Sequence, residues 1–146
     1  MTIRVMVATD YEGIYALWLT TAGMGLNDVD DSCDGIEKFL RRNANTCFVA
    51  ERNGEILGVI LAGNDGRRGY IYHAAVRESE RNRGLGTALT DAAMDALRAE
   101  GITKVALVCF TGNDIGNAFW ERRGFTVRDD LTYRNRALAE LTRIDT

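Results

Sequence analysis

The sequence predicts a mixed α/β fold in one domain, residues 1–146. The expected sheet is mostly antiparallel, with one parallel strand pair and helices on both faces. Three observations predict it. Turn signals come early, at Asn53-Gly54 and again at Asn64-Asp65-Gly66, and Asn-Gly suits a tight hairpin because both positions tolerate positive φ. Further on, residues 70–110 read as strand, long helix, strand, and such a crossover makes parallel neighbours. Hydrophobic residues make up 46% and charged residues 27% of the 146, with no proline and no repeat or low-complexity tract, so the chain has enough apolar material for one continuous core.

The elements follow in order. A short apolar strand covers residues 3–8. Thr9 and Glu12 have capping-box spacing, and Tyr11, Ile14, Tyr15 and Trp18 then recur at helical intervals as core positions, in a helix ending near Gly23. A polar loop covers 23–32. Asp34 and Glu37 are placed to cap a second helix, with Ile36, Phe39 and Leu40 on its inner face. Strands are expected at 47–51, 56–62 and 70–76. A long helix at 81–100 carries the stripe Leu85, Leu89, Ala92, Ala96 and Leu97 and ends at Gly101. The nearly continuous apolar run 104–110 suits a strand buried on both faces. A helix at about 113–123 stops at Gly124, and strands at 126–128 and 131–137 complete the order βααβββαβαββ.

Charge and composition exclude several classes. The net charge of −3 leaves no basic footprint for a nucleic-acid partner. No apolar run approaches the ~20 residues of a membrane span, and Met1 to Val5 lacks the basic and apolar blocks of a signal peptide; a cytoplasmic protein is expected. Cys33, Cys47 and Cys109 form no metal-type pair. They read as isolated buried thiols in a reducing compartment, and no metal is expected.

The chemistry concentrates in the turn Arg81-Asn82-Arg83-Gly84-Leu85-Gly86. Glycines let a backbone approach a ligand closely. The first amides of a helix lack intrahelical partners and lie at the positive end of its dipole, which makes an anion site suited to phosphate. Spacing alone leaves a plain strand–helix turn open. Arg81-x-x-Gly84-x-Gly86, after an apolar strand and opening a long helix, resembles the Q/R-x-x-G-x-G/A signature of the GNAT N-acetyltransferase superfamily. The downstream run from Asn113 through Phe119 and Trp120 to Gly124-Phe125 is similar to that family's second motif of asparagine, small residue, aromatic and terminal Gly-Phe.

The resemblance implies a co-substrate, acetyl-CoA, and a set of roles. Backbone groups of Ala75 and Val76 would pair with the pantetheine arm like an added strand. Amides of Arg81, Asn82, Arg83, Gly84, Leu85, Gly86 and Thr87 would hold the pyrophosphate. The strands at 70–76 and 104–110 would splay to admit the cofactor, with Asn113 on its far side and Phe119 lining its slot. The acceptor would be a small-molecule or peptide amine. Family habit also suggests a homodimer paired through the 131–137 strand.

Amine acetylation needs a deprotonated amine, donors aimed at the developing oxyanion and a proton for the departing thiolate. The amide of Val76 is the expected oxyanion donor. Many family members carry a tyrosine four residues before the glycine of Gly-Phe, where this chain has Trp120. An indole N–H donates a hydrogen bond but does not release its proton, so Tyr133, Tyr72, an ordered water or no acid at all takes that part. A non-catalytic acyl-CoA sensor is the alternative this departure leaves. A nucleotide-binding module is a weaker one, because Gly84-x-Gly86 lacks both the P-loop lysine and the further glycine of a dinucleotide fingerprint.

His73 is the only histidine, and an imidazole suits proton transfer near neutral pH. It is the candidate base, with a packed or outward-facing ring as the alternative. Strand alternation sets His73 and Tyr72 on opposite faces. Asp28, Asp30 and Asp31 would draw a cationic amine, or else form a solvated loop beside a helix N-terminus. Arg67-Arg68 points instead to an acceptor bearing a carboxylate, or is an exposed hairpin tip.

Overall fold

Asn53 and Gly54 take positive φ, 51° and 80°, and fold the chain between β3 (Phe48–Arg52) and β4 (Glu55–Asn64) as the hairpin signal predicts. The computed structural model describes residues 1–144. Around that hairpin the chain sets β1 (Thr2–Val5), α1 (Tyr11–Leu19), β2 (Leu26–Asn27) and α2 (Cys33–Arg42) before it. After it come β5 (Gly69–Val76), α3 (Leu85–Ala99), β6 (Val105–Leu107), α4 (Asp114–Arg122) and β7 (Arg143–Ile144). The main sheet runs β1-β3-β4-β5-β6. Only β5 and β6 are parallel; the other pairings within that sheet are antiparallel. A separate ribbon pairs β2 with β7.

Helices cover both faces. Tyr11, Ile14, Leu17 and Trp18 of α1 and Ile36 and Leu40 of α2 pack against Val49, Val59 and Leu61. Leu85, Leu89, Ala93 and Leu97 of α3 pack on the other face against Ala50, Leu57, Ile60 and Ile71, and Trp120 and Phe125 join them. Central β4 is buried on both faces from Ile56 to Gly63, so its apolar run is a product of position rather than of parallel pairing.

The helix starts differ from expectation. Thr9 caps nothing; it lies in a 3-10 turn at Ala8–Asp10. Asp10 does the capping work, accepting from Val7 N at 2.9 Å and from both Nη atoms of Arg4 at 2.8 and 2.7 Å. Arg4 also binds Glu51 on β3, which ties the start of α1 to the sheet. α1 ends at Leu19, where the hydroxyls of Thr20 and Thr21 both donate to Leu17 O, well before Gly23. α2 is capped by Ser32 Oγ, which accepts from Gly35 N at 3.0 Å. Asp34 and Glu37 are already inside that helix and cannot cap it.

The predicted strands at 126–128 and 131–137 do not form, and the chain from 126 to 143 is exposed. Val127, Leu131 and Leu138 are 80%, 62% and 93% exposed: the apolar alternation there has no face to bury against. Arg128 instead grips Asp130 with two bonds of 2.8 Å between the two expected strands. The strand expected to carry subunit pairing is therefore absent. The thiols also differ: Cys47 is buried and pushed up to about 12 by that burial, whereas Cys33 is exposed. No helix of the described residues is long and apolar enough to cross a membrane.

Burial alone would raise the Asp10 carboxyl, but its bonds to Arg4 and Val7 outweigh that and hold it below the usual carboxylate range. Replacing Asp10 with alanine strands both donors and is expected to cost about 2 kcal/mol. A lowered folded pKa stabilises above the unfolded value of ~3.9 and is lost as pH falls through the folded one. In urea titrations the gap between wild type and Asp10→Ala should be full at neutral pH and close progressively in acid. A gap independent of pH would refute the assignment.

Candidate active site

The turn between β5 and α3 is shaped by two left-handed residues. Asn82 has φ 62° and Gly84 φ 82°, values no helix accommodates, so α3 begins at Leu85 rather than at 81. Gly84 serves as N-cap, and the amides of Leu85, Gly86 and Thr87 form the first turn, without carbonyls to bind inside the helix. The two glycines act differently. Gly84 supplies the backbone angle. Gly86 supplies room: a Cβ there would lie 3.1 Å from Cε1 and Cζ of Phe119, so the missing side chain brings α4 against the turn.

Two residues outside the predicted motif hold this turn. Glu80 is buried, and its carboxylate takes Arg52 of β3 at 2.5 Å and Arg83 at 3.5 Å. The hydrogen bond from Arg52 holds it below the usual carboxylate range. Glu80 sits in an alternating charged run, Arg77 to Arg83, which reads as a solvated surface; its burial has no signal in the sequence. Arg81 folds back, its Nε donating to Val76 O at 3.3 Å.

β5 and β6 pair only at Gly69↔Val105, Tyr70↔Ala106 and Ile71↔Leu107. Beyond Ile71 they part, at the place expected. Arg77 N donates to Leu57 O at 2.8 Å. By alternation Val76 then presents its own N–H and C=O away from β4, into the opening. Ala75 instead lies in the ladder opposite Val59, so of the two residues expected to pair with pantetheine, Val76 has the open N–H, its C=O being taken by Arg81 Nε. A cleft of about 1450 Å³ runs through this gap. It extends from the 81–87 turn past Val76, Cys109, Phe119 and Trp120 to Tyr72, His73 and Tyr133.

Asn113 caps α4, its Oδ1 accepting from Gly116 N at 2.9 Å. Its oxygen is thereby committed, and the same side chain also hydrogen-bonds the Cys109 thiol in the cleft lining. Trp120 packs edge-on between Phe119 and Phe125, with ring centroids 4.9 and 5.3 Å away.

A β-bulge overturns the alternation expected of β5. Ile60 pairs with Ala74 and Ala62 with Ile71, so Tyr72 and His73 together oppose Leu61. Ile71 and Ala74 face α3. Tyr72 meets Phe39 of α2 with ring centroids 5.6 Å apart, and His73 meets Trp18 of α1 at 5.1 Å. Both side chains thus lie on the same face of the sheet and both line the cleft. Tyr70 stands beside Tyr72 at 4.6 Å. Burial, and then the nearby Tyr133, raises the hydroxyls of Tyr70 and Tyr72, so they keep their protons at neutral pH.

The three aspartates separate. Asp28 Oδ1 accepts from Thr142 N at 2.7 Å and lies outside the main cleft. Asp31 is buried, its Oδ2 accepting from Asn27 N and its Oδ1 meeting His73 Nε2, each at 2.8 Å. Asp30 remains exposed in the cleft lining, with Asn27 Nδ2 at 3.0 Å. Arg67 and Arg68 donate their backbone N–H groups to Asp65 at an exposed tip away from the cleft.

A crossover whose parallel strands part over a glycine-capped helix start, with an open strand edge beside it, defines a fold built to bind an acyl carrier. The model of the acetyltransferase (GNAT) family matches residues 11–125. The chain belongs to that family and is an acetyltransferase. Among solved structures it is similar to Ard1 from Thermoplasma volcanium, at 26% identity and a TM-score of 0.77 over 87% of this chain and 83% of that one. It shares its fold with AAC(6')-Iy in complex with the bisubstrate analogue CoA-S-monomethyl-acetylneamine, at 24% identity, TM-score 0.71 and coverage of 93% and 98%. The PaiA N-acetyltransferase from Thermoplasma acidophilum in complex with coenzyme A also has this fold, at 16% identity, TM-score 0.75 and coverage of 88% and 91%.

The contact between Gly86 and Phe119 is directly testable. Alanine in a helix gains about 0.5–1 kcal/mol over glycine, but here its Cβ must displace the ring, at a cost of about 1 kcal/mol or more. Gly86→Ala should therefore be neutral or destabilising alone and stabilising in a Phe119→Leu background. Equal effects in the two backgrounds, read by urea unfolding, would show that the ring does not set the glycine.

Proposed function

We propose that the chain moves the acetyl group of acetyl-CoA to a primary amine of a small molecule or peptide, by direct attack with both substrates bound. One observation carries this reading: a single cleft joins the helix-start amides, the open edge of β5 and a tyrosine-lined end. The first-turn amides of α3 and the turn before them, Arg81 to Thr87, suit the pyrophosphate. The close contact between Gly86 and Phe119 keeps α4 near enough for Phe119 to wall the cofactor slot. The N–H of Val76, turned away from β4, suits a pantetheine carbonyl and, at the thioester, the developing oxyanion, while its C=O already takes the Arg81 guanidinium.

The acid belongs to a tyrosine on this reading. Tyr72 and Tyr133 both reach the cleft, and a phenol that stays protonated at neutral pH can hand its proton to the departing thiolate, while Trp120 stays with its aromatic neighbours. Asp30 is the carboxylate placed to meet the amine; Asp28 and Asp31 are engaged elsewhere.

Release of free thiol from acetyl-CoA over a panel of primary amines tests the reaction. A thermal shift with acetyl-CoA against ATP and NAD tests the site. Acetyl-CoA should raise the melting temperature where the nucleotides do not, and at least one amine should release thiol. Of Tyr72→Phe and Tyr133→Phe, the one that removes the acid should lower kcat on the order of 10²-fold with little change in KM for acetyl-CoA. Trp120→Phe should leave kcat unchanged. No loss in either tyrosine variant would move the proton to water.

A further inference from the structure

His73 is tied on one ring nitrogen and closed off on the other. Its Nε2 lies 2.8 Å from Asp31 Oδ1. Its Nδ1 is buried and, among the described residues, has no hydrogen-bond partner. The same holds for Nε1 of Trp18, whose indole stands edge-on to the imidazole at 5.1 Å. A carboxylate only accepts, so Nε2 carries the hydrogen of this contact. That leaves Nδ1 buried on a ring packed against the Trp18 indole, and no nitrogen turned to an incoming amine.

The carboxylate at the other end of this contact is built into the loop of residues 27–31. Asp31 Oδ2 accepts from Asn27 N at 2.8 Å, and Asp31 O accepts from the Tyr11 hydroxyl at 2.7 Å. Asn27 in turn shapes the loop, its Oδ1 accepting from the amides of Val29 and Asp30 at 3.0 and 2.7 Å and its Nδ2 reaching Asp30. One chain of bonds therefore runs from the β5 bulge through His73 and Asp31 to Asn27, and from there to the exposed carboxylate of Asp30 in the cleft.

We infer that His73 is a positioning residue for the amine acceptor rather than the base: through Asp31 it fixes the loop of residues 27–31 and so places Asp30 against the cleft. The inference rests on the acetyl-transfer reading for its kinetic consequence and on the fold alone for its structural one. The bulge gives the arrangement its reason, since without the extra residue His73 would face α3 and could not reach Asp31.

The test compares His73→Ala with His73→Gln. Glutamine offers an N–H to Asp31 from nearly the same place but cannot take up a proton near neutral pH. His73→Ala should raise KM for the amine about tenfold, the scale of one lost hydrogen bond, with kcat, KM for acetyl-CoA and the shape of the pH profile retained. His73→Gln should restore the amine KM. A large fall of kcat in both variants, with loss of the acidic limb of the profile, would make His73 the base and overturn the inference. Amide exchange at Asn27 gives a readout independent of turnover: faster in His73→Ala and close to wild type in His73→Gln. If no amine is turned over, the acetyl-transfer reading fails and the exchange data still decide the strut. Unchanged exchange in His73→Ala would sink it.

Discussion

Strand β5 is paired on both edges only from Gly69 to Ile71, and the rest of the site follows from that limit. A strand in mid-sheet has no backbone to spare, because each N–H and C=O is committed to a neighbour. Once β6 departs after Leu107, the outer edge of β5 is free at the depth of the sheet, and the groups along it are available to a ligand that offers a strand-like backbone of amides. The bulge at Tyr72 and His73 begins where the parallel pairing stops. With neighbours on both sides an extra residue would disturb two ladders; here it disturbs one, and it turns the Tyr72 and His73 side chains toward the same opening.

The turn beyond β5 is held in place before any ligand arrives. Left-handed backbone at Asn82 is unfavourable for a residue with a side chain, and the amides it helps to aim are unsatisfied. The compensation lies in Glu80, buried under Arg52 and Arg83. Ion pairs at a buried carboxylate contribute little net stability, because desolvation offsets most of the attraction. They contribute definition: Glu80 has one place to be, and the turn that follows it is anchored to the end of β3. Preorganisation of this kind lowers the entropy lost when a phosphate binds.

What the sequence revealed and what it hid divide along a physical line. Signals that depend on backbone conformation alone were legible: Asn53-Gly54, the Gly84 turn and the stripe of α3 each act within a few residues of themselves. The splay was legible only through resemblance, since nothing local says where β6 leaves β5. Caps were misplaced because the capping groups have equally polar neighbours; Ser32 and Asp34 differ only in which stands outside the helix. The bulge was invisible because Tyr72 and His73 are consecutive, and a regular strand would set one on each face; nothing local says that both turn to the same side. The strands after Gly124 failed for the converse reason. Their alternation is real, but alternation makes a strand only where a sheet edge and a buried face receive it.

The charges at the acceptor end show how far folding revises a sequence-level argument. Asp28, Asp30 and Asp31 together suggest a field drawing in a cation, and Arg67-Arg68 suggests the opposite. Folding removes most of both. Asp28 is bound to the backbone of Thr142, Asp31 faces His73 and Asn27, and the arginine pair stands at a hairpin tip. Asp30 is left in the lining, with Lys38 and Arg42 of α2 also there. Charges of both signs along one cleft offset each other's field, and salt screens what is left beyond about 8 Å. On the proposed reading, discrimination then falls to contact: the aromatic residues Phe39, Tyr70 and Tyr72 for shape, and the Asp30 carboxylate for the amine. A site of that kind would depend on where Asp30 stands more than on how much charge surrounds it, and on the proposed reading this is what gives the buried bond between His73 and Asp31 its weight at the acceptor end.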